Sequence, residues 1–110
     1  MTDEDFRRLV LAQPGAVEGS HHNHPDFRLE GNIFATLGPD GTWVTVRLAP
    51  EQQETFLKEA PGVFEPAAGA WGRQGMTVIQ LAKAKKTLVK KAIETAWHLA
   101  SLKPPARKKK

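Results

Sequence analysis

The chain contains no cysteine and no tyrosine. Without cysteine there can be no disulfide, no thiolate nucleophile and no cysteine zinc site. Without tyrosine, one more proton donor is missing from any catalytic set. No apolar run approaches the ~20 residues of a membrane-spanning helix, and the acidic start at Met1–Phe6 lacks the basic n-region of a signal peptide. A cytoplasmic protein with no membrane partner is the expectation. No GxSxG, Walker A or GxGxxG string occurs. The reading is therefore of a protein that is not an enzyme and carries no cofactor and no metal. Acids are scarce in one half only. Residues 66–110 hold eleven basic residues and the single acid Glu94, a net charge of +10. Residues 1–65 hold eleven acids against Arg7, Arg8, Arg28, Arg47 and Lys58, a net −6. Such asymmetry between halves points to a polyanionic partner or a basic tail.

What remains is globular in composition. With 110 residues, 40% of them hydrophobic and 25% charged, the chain suits one core. Residues 1–102 are read as a single domain and 103–110 as a disordered basic tail. Asp3 is a candidate cap for a first helix carrying Phe6, Leu9 and Val10 on one face, stopped by Pro14-Gly15. The polar stretch 16–26 has no periodicity and is read as a loop. Strands are expected from Phe27. Ile33, Ala35 and Leu37 share one face with Phe34 opposite. After the Gly38-Pro39-Asp40-Gly41 turn, Val44, Val46 and Leu48 oppose Trp43, Thr45 and Arg47. Pro50 opens a second helix, to about Glu59. Val63-Phe64 is a candidate short strand, Trp71–Gly75 the tip or shoulder of a hairpin, and Met76–Leu81 another strand. Ala84–Leu102 is the clearest helix, with Leu88, Val89, Ala92, Ile93, Ala96, Trp97 and Ala100 facing the core. The order describes the α+β class, helices against an antiparallel sheet.

Two clusters could carry function. His21, His22 and His24, with Asp26, form a possible ligand loop, although their spacing matches no standard metal pattern. His98 falls on the wet side of the last helix. In the basic half, Lys83, Lys86 and Lys90 are read along one flank of that helix, with Lys91 on the next strip and Arg73 beside it. Lys86 and Lys90 repel at i, i+4, and Lys90–Glu94 is the one favourable pair. An unneutralised stripe of this kind suits phosphates, with little sequence preference and steep salt dependence. Trp71 could add a stacking contact, and Arg107, Lys108, Lys109 and Lys110 an electrostatic anchor. The partner is expected to be DNA or an acidic protein, and the chain a monomer. The alternative is a protein- or small-ligand-binding module that uses the His21–Phe27 loop and the sheet face around Trp43 and Arg47.

Several strings follow one another in a characteristic order: Pro14-Gly15-Ala16-Val17-Glu18, His24-Pro25-Asp26-Phe27-Arg28-Leu29, Ile33-Phe34-Ala35-Thr36-Leu37 and Leu48-Ala49-Pro50-Glu51-Gln52. Pro61-Gly62-Val63-Phe64, Trp71-Gly72-Arg73-Gln74-Gly75 and Ala96-Trp97 continue it. From about Phe6 to Trp97 the chain resembles the MmcQ/YjbR family of small bacterial proteins. The resemblance implies an α+β fold described as double-wing or CyaY-like, and a DNA-binding label that names no catalytic residues. Family members often have threonine where Ala49 stands.

Overall fold

In the computed structural model of the chain, residues 1–21 and 24–103 are described. The basic tail read from the sequence lies almost wholly outside them. The first helix, α1 (Asp3–Leu11), is capped by Thr2 rather than Asp3: the Thr2 hydroxyl accepts from the Asp5 N–H, and the Asp5 carboxylate accepts from the Thr2 N–H. This reciprocal box satisfies two donors that the helix start would otherwise leave free. Phe6 and Val10 are fully buried beneath it.

Six strands make one antiparallel sheet: β1 (Ala16–His21), β2 (His24–Leu29), β3 (Asn32–Leu37), β4 (Trp43–Arg47), β5 (Phe64–Pro66) and β6 (Met76–Gln80). Their spatial order is β1-β2-β3-β4-β6-β5. The stretch expected to be a loop is largely a hairpin, β1 pairing with β2 from Ala16↔Leu29 to His21↔His24. β1 is an edge strand whose described side chains are all exposed or half-exposed, so no apolar alternation marks it in the sequence. The backbone ladder holds it, and so does Arg7 of α1, whose guanidinium forks onto Glu18 with two 3.0 Å bonds.

The expected alternation in β3 also fails at one residue. Pairing passes from Phe27↔Ala35 to Arg28↔Ile33, so Phe34 is the extra residue of a β-bulge. Phe34 and Ala35 are consecutive and both fully buried. In β4 the alternation holds from Trp43 to Val46. Val44 and Val46 are buried in the core, while Trp43 and Thr45 line the opposite face with Met76, Val78 and Gln80 of β6.

The longest helix, α4 (Lys86–Ser101), packs across β2, β3 and β4 and touches α1. Its Val89, Ala92, Ile93 and Ala96 close one core with Phe6, Phe27, Val44 and Ile79. Trp97 ties its far end to the turn after α1 by donating from Nε1 to the Pro14 carbonyl at 2.8 Å. At the other edge α2 (Pro50–Glu59) lies against β5, with the Phe56 and Phe64 rings 5.1 Å apart. The segment expected at a hairpin tip is instead a short helix, α3 (Gly69–Arg73), beside β5 and β6. No helix among the described residues is long and apolar enough to cross a membrane.

Candidate functional site: a lysine-rich helix start and an open sheet cleft

β6 ends at Gln80, and the chain makes a 3₁₀ turn, Leu81–Lys83, before α4 begins. Buried Leu81 and Val89 pin this corner, which leaves the lysines between them on the surface. Lys83, Lys85, Lys86, Lys90 and Lys91 are all exposed. Ion pairs among the described residues involve Arg7, Arg28 and Lys58, and none of these five lysines. The Lys90–Glu94 pair expected from the spacing does not close to 4.0 Å.

Two placements differ from the sequence reading. Lys83 belongs to the 3₁₀ turn, so the helical strip starts at Lys86. Lys85, which the sequence reading did not include, is the N-cap. Its side chain makes no cap bond, and the first turn of α4 holds no acid. The amides of Lys86 and Thr87 have no partner among the described residues, since the turn's bonds to the Lys85 carbonyl start at Leu88. A helix N-terminus carries about half a positive charge. Five lysines here therefore add like charge to like.

Arg73 and Trp71 do not join this cluster. They sit on α3, which leads into β6 at Met76, while the lysines follow its other end at Gln80. The strand separates the two by about 13 Å. Arg107, Lys108, Lys109 and Lys110 lie outside the described residues.

On the face of the sheet away from α4 is a cleft of about 650 Å³. Its floor is Thr36, Thr45, Val78 and Gln80, with Leu37, Pro39 and Trp43 at one end and Pro66, Ala67, Ala68, Trp71 and Met76 at the other. The Thr36 and Thr45 hydroxyls face each other at 2.6 Å. The Gln80 amide donates to Glu65 at 2.8 Å. Trp71 is 58% exposed. The Trp43 indole lies on Gly38, where an added Cβ would stand 2.8 Å from two ring atoms.

α3 is held in place by Gln53, a residue the sequence reading left out. Its amide donates to the carbonyls of Gly72 (3.1 Å) and Met76 (3.2 Å) and to the Thr77 hydroxyl (3.0 Å). The available signal was a glutamine one turn before the core-facing Phe56. Gly72 cannot carry a side chain, because a Cβ there would overlap the Ala67 carbonyl.

His24 lines the cleft, His21 is its cross-strand partner at the hairpin end, and His22 lies outside the described residues. No group of three metal-ligating side chains is found among the described residues. Asp26 is fully buried and takes a fork from Arg28, Nε to Oδ1 at 2.8 Å and Nη2 to Oδ2 at 3.1 Å. That bond, aided by the carboxylate charge, raises the Arg28 pKa above its ordinary value. Gly19, opposite Asp26, leaves room for the fork: a Cβ there would stand 3.2 Å from Oδ1. Arg47 lies outside the cleft lining and borders a small recess with Ala96 and Lys103. His98 is exposed near the end of α4.

An antiparallel sheet with its long helix on one face and a cleft on the other defines a small α+β domain. The chain belongs to the YjbR family, whose model matches residues 11–99. Its fold is similar to that in the crystal structure of Deinococcus radiodurans protein DR2400, a DUF419 domain. The TM-score is 0.76 at 15% identity, covering 91% of this chain and 78% of that one. At that identity the likeness is one of fold. No curated protein matches the chain.

Proposed function

We propose that this YjbR-family domain is a non-enzymatic DNA-binding protein of the cytoplasm that holds the phosphate backbone through the start of α4. The observation that carries the reading is the group Lys83, Lys85, Lys86, Lys90 and Lys91, exposed and without ion pairs among the described residues. A face that served only solubility would gain from interspersed acids and from an acid in the first helical turn. This one has neither, and the amides of Lys86 and Thr87 beside it have no partner among the described residues. Phosphate is the group that satisfies both. Binding of this kind is indifferent to sequence and depends on counterion release. The basic tail, Arg107–Lys110, adds a second, non-specific anchor.

Fluorescence anisotropy of a labelled duplex over a salt series tests the reading, with full-length protein and a chain ending at Leu102. Contacts to four or five phosphates give a log–log salt slope of roughly −4. In the Lys86→Glu/Lys90→Glu double variant the affinity falls for every sequence and the slope flattens by about two. Binding by the full-length chain alone would reduce the activity to its tail. Absence of binding by either at low salt would reject DNA and leave an acidic protein as the partner of this face.

A further inference from the structure

We infer that the cleft on the open sheet face takes an unpaired nucleobase, so that the nucleic acid this domain prefers is single-stranded. The inference rests on the phosphate-binding reading and adds to it a second site on the other side of the sheet.

The cleft has the size of a small-molecule site, about 650 Å³, which accommodates one nucleotide with room for its neighbour. Its ends are tryptophans of different character. Trp43 is set on Gly38 and cannot sink further, because the glycine backbone fills the space beneath the indole. Trp71 stands 58% exposed on a helix that Gln53 fixes from behind. Leaving a large aromatic so exposed forgoes its burial, and here it occurs on the rim of the cleft. Exposed aromatics beside a cationic track are how sequence-tolerant single-strand binders hold bases, because every base has a π-face.

The floor offers the groups that the edge of a base requires. Thr36 and Thr45 share one hydrogen bond, so one hydroxyl proton and several lone pairs stay available. Gln80 gives one N–H of its side-chain amide to Glu65 and keeps the second N–H and the amide oxygen for a ligand. The floor therefore presents donors and acceptors together on an otherwise apolar surface.

The charge lies where the backbone of such a ligand would leave. Gln80 is both the end of the cleft floor and the residue before Leu81–Lys83. At about 2 Å of rise per 3₁₀ residue, Lys83 follows roughly 6 Å beyond Gln80, with Lys85 and Lys86 next. A strand with one base on Trp71 and the next toward Trp43 thus brings a phosphate at the Gln80 end of the cleft within reach of the lysines. A duplex cannot use both sites, since its bases are stacked and paired.

The test uses the full chain with an oligothymidylate and a duplex of equal length, read at one salt concentration by anisotropy and by tryptophan emission. The single strand is expected to bind more tightly and to quench emission, whereas the duplex leaves emission unchanged. In Trp71→Ala the ratio of single-strand to duplex affinity falls about tenfold, and Trp71→Phe restores most of it. Trp71 is exposed, so the fold survives, and the thermal melt confirms this. An unchanged ratio in Trp71→Ala, or single-strand binding without quenching, overturns the cleft and leaves phosphate binding standing. Failure of both nucleic acids to bind at low salt overturns the two readings together.

Discussion

The side-chain amide of Gln53 donates to the hydroxyl of Thr77 at 3.0 Å, joining α2 to β6 across 24 residues of sequence. Both groups are buried, at 8% and 0% exposure. The same nitrogen serves the Gly72 and Met76 carbonyls, and the Thr77 hydroxyl passes its own proton to the Gly75 carbonyl at 2.9 Å. This network seats α3, and with it Trp71, over the edge of the sheet.

Gln53→Leu keeps the volume and removes the donor. The Thr77 hydroxyl then loses its donor, while the Gly72 and Met76 carbonyls keep the Gly75 and Ala67 amides, and the expected cost is about 1 kcal/mol in urea denaturation. Hydrogen exchange should localise the damage, with the Gln74 and Gly75 amides at the end of α3 losing protection before the core strands. Uniform loss of protection would show that Gln53 supports the whole fold rather than α3.

The start of α2 is half capped. Gln52 accepts from the Ala49 N–H at 2.8 Å, while Ala49 itself supplies no side-chain acceptor. Ala49 already has the extended backbone of an N-cap, with φ −71° and ψ 152°. Ala49→Thr should complete the box and stabilise the domain by about 1 kcal/mol, seen as a raised denaturation midpoint with an unchanged slope.

At the start of α4 stability and binding should move in opposite directions. Lys86 is the first residue of the helix, where a positive charge meets the positive end of the dipole. Lys86→Glu reverses this and creates a Glu-to-Lys i, i+4 pair with Lys90. The expected gain is roughly 0.5–1 kcal/mol in thermal or chemical unfolding. DNA affinity should fall in the same variant. A loss of both would show instead that Lys86 is a structural residue.

The capping box sets an acid limit. Hydrogen bonds from the Thr2 backbone and then its side chain hold the Asp5 carboxyl below its ordinary pKa of 3.8. Asp40 is lowered likewise, by the Thr42 hydroxyl first and then by the Thr42 N–H. A carboxyl whose pKa is lower folded than unfolded adds stability above the unfolded value and loses it as pH falls through the folded one. Stability should therefore decline below about pH 3.8. In Asp5→Asn that decline should be shallower and the stability at neutral pH lower, as unfolding curves at pH 7 and below pH 3 would show.

Much of the site was legible because its signals are local. The charge imbalance gave the lysines, and the period of two in Trp43–Leu48 put Val44 and Val46 on the core side and Trp43 and Thr45 on the other. The 3.6-residue period gave α4 its buried face. The misses are non-local. β1 carries no apolar alternation because it is an edge strand with no buried described side chain, so only its pairing with β2 reveals a strand. Phe34 changes side because one residue is inserted opposite Phe27 and Arg28, which no period in β3 records. Trp71-Gly72-Arg73 suggests a turn because glycine is a poor helix former. Gly72 stands in a helix because the Ala67 carbonyl and the Gln53 amide meet it there.

By itself, then, the sequence determined an α+β domain with a basic second half, since hydropathy period and charge are properties of neighbouring residues. Only the tertiary structure decided that Trp71 and Arg73 lie at the opposite end of β6 from Lys83, and that Trp43 and Trp71 share a cleft. Those relations come from which strands pair and how they cross the sheet, and strand pairing between distant segments is not written in any local pattern.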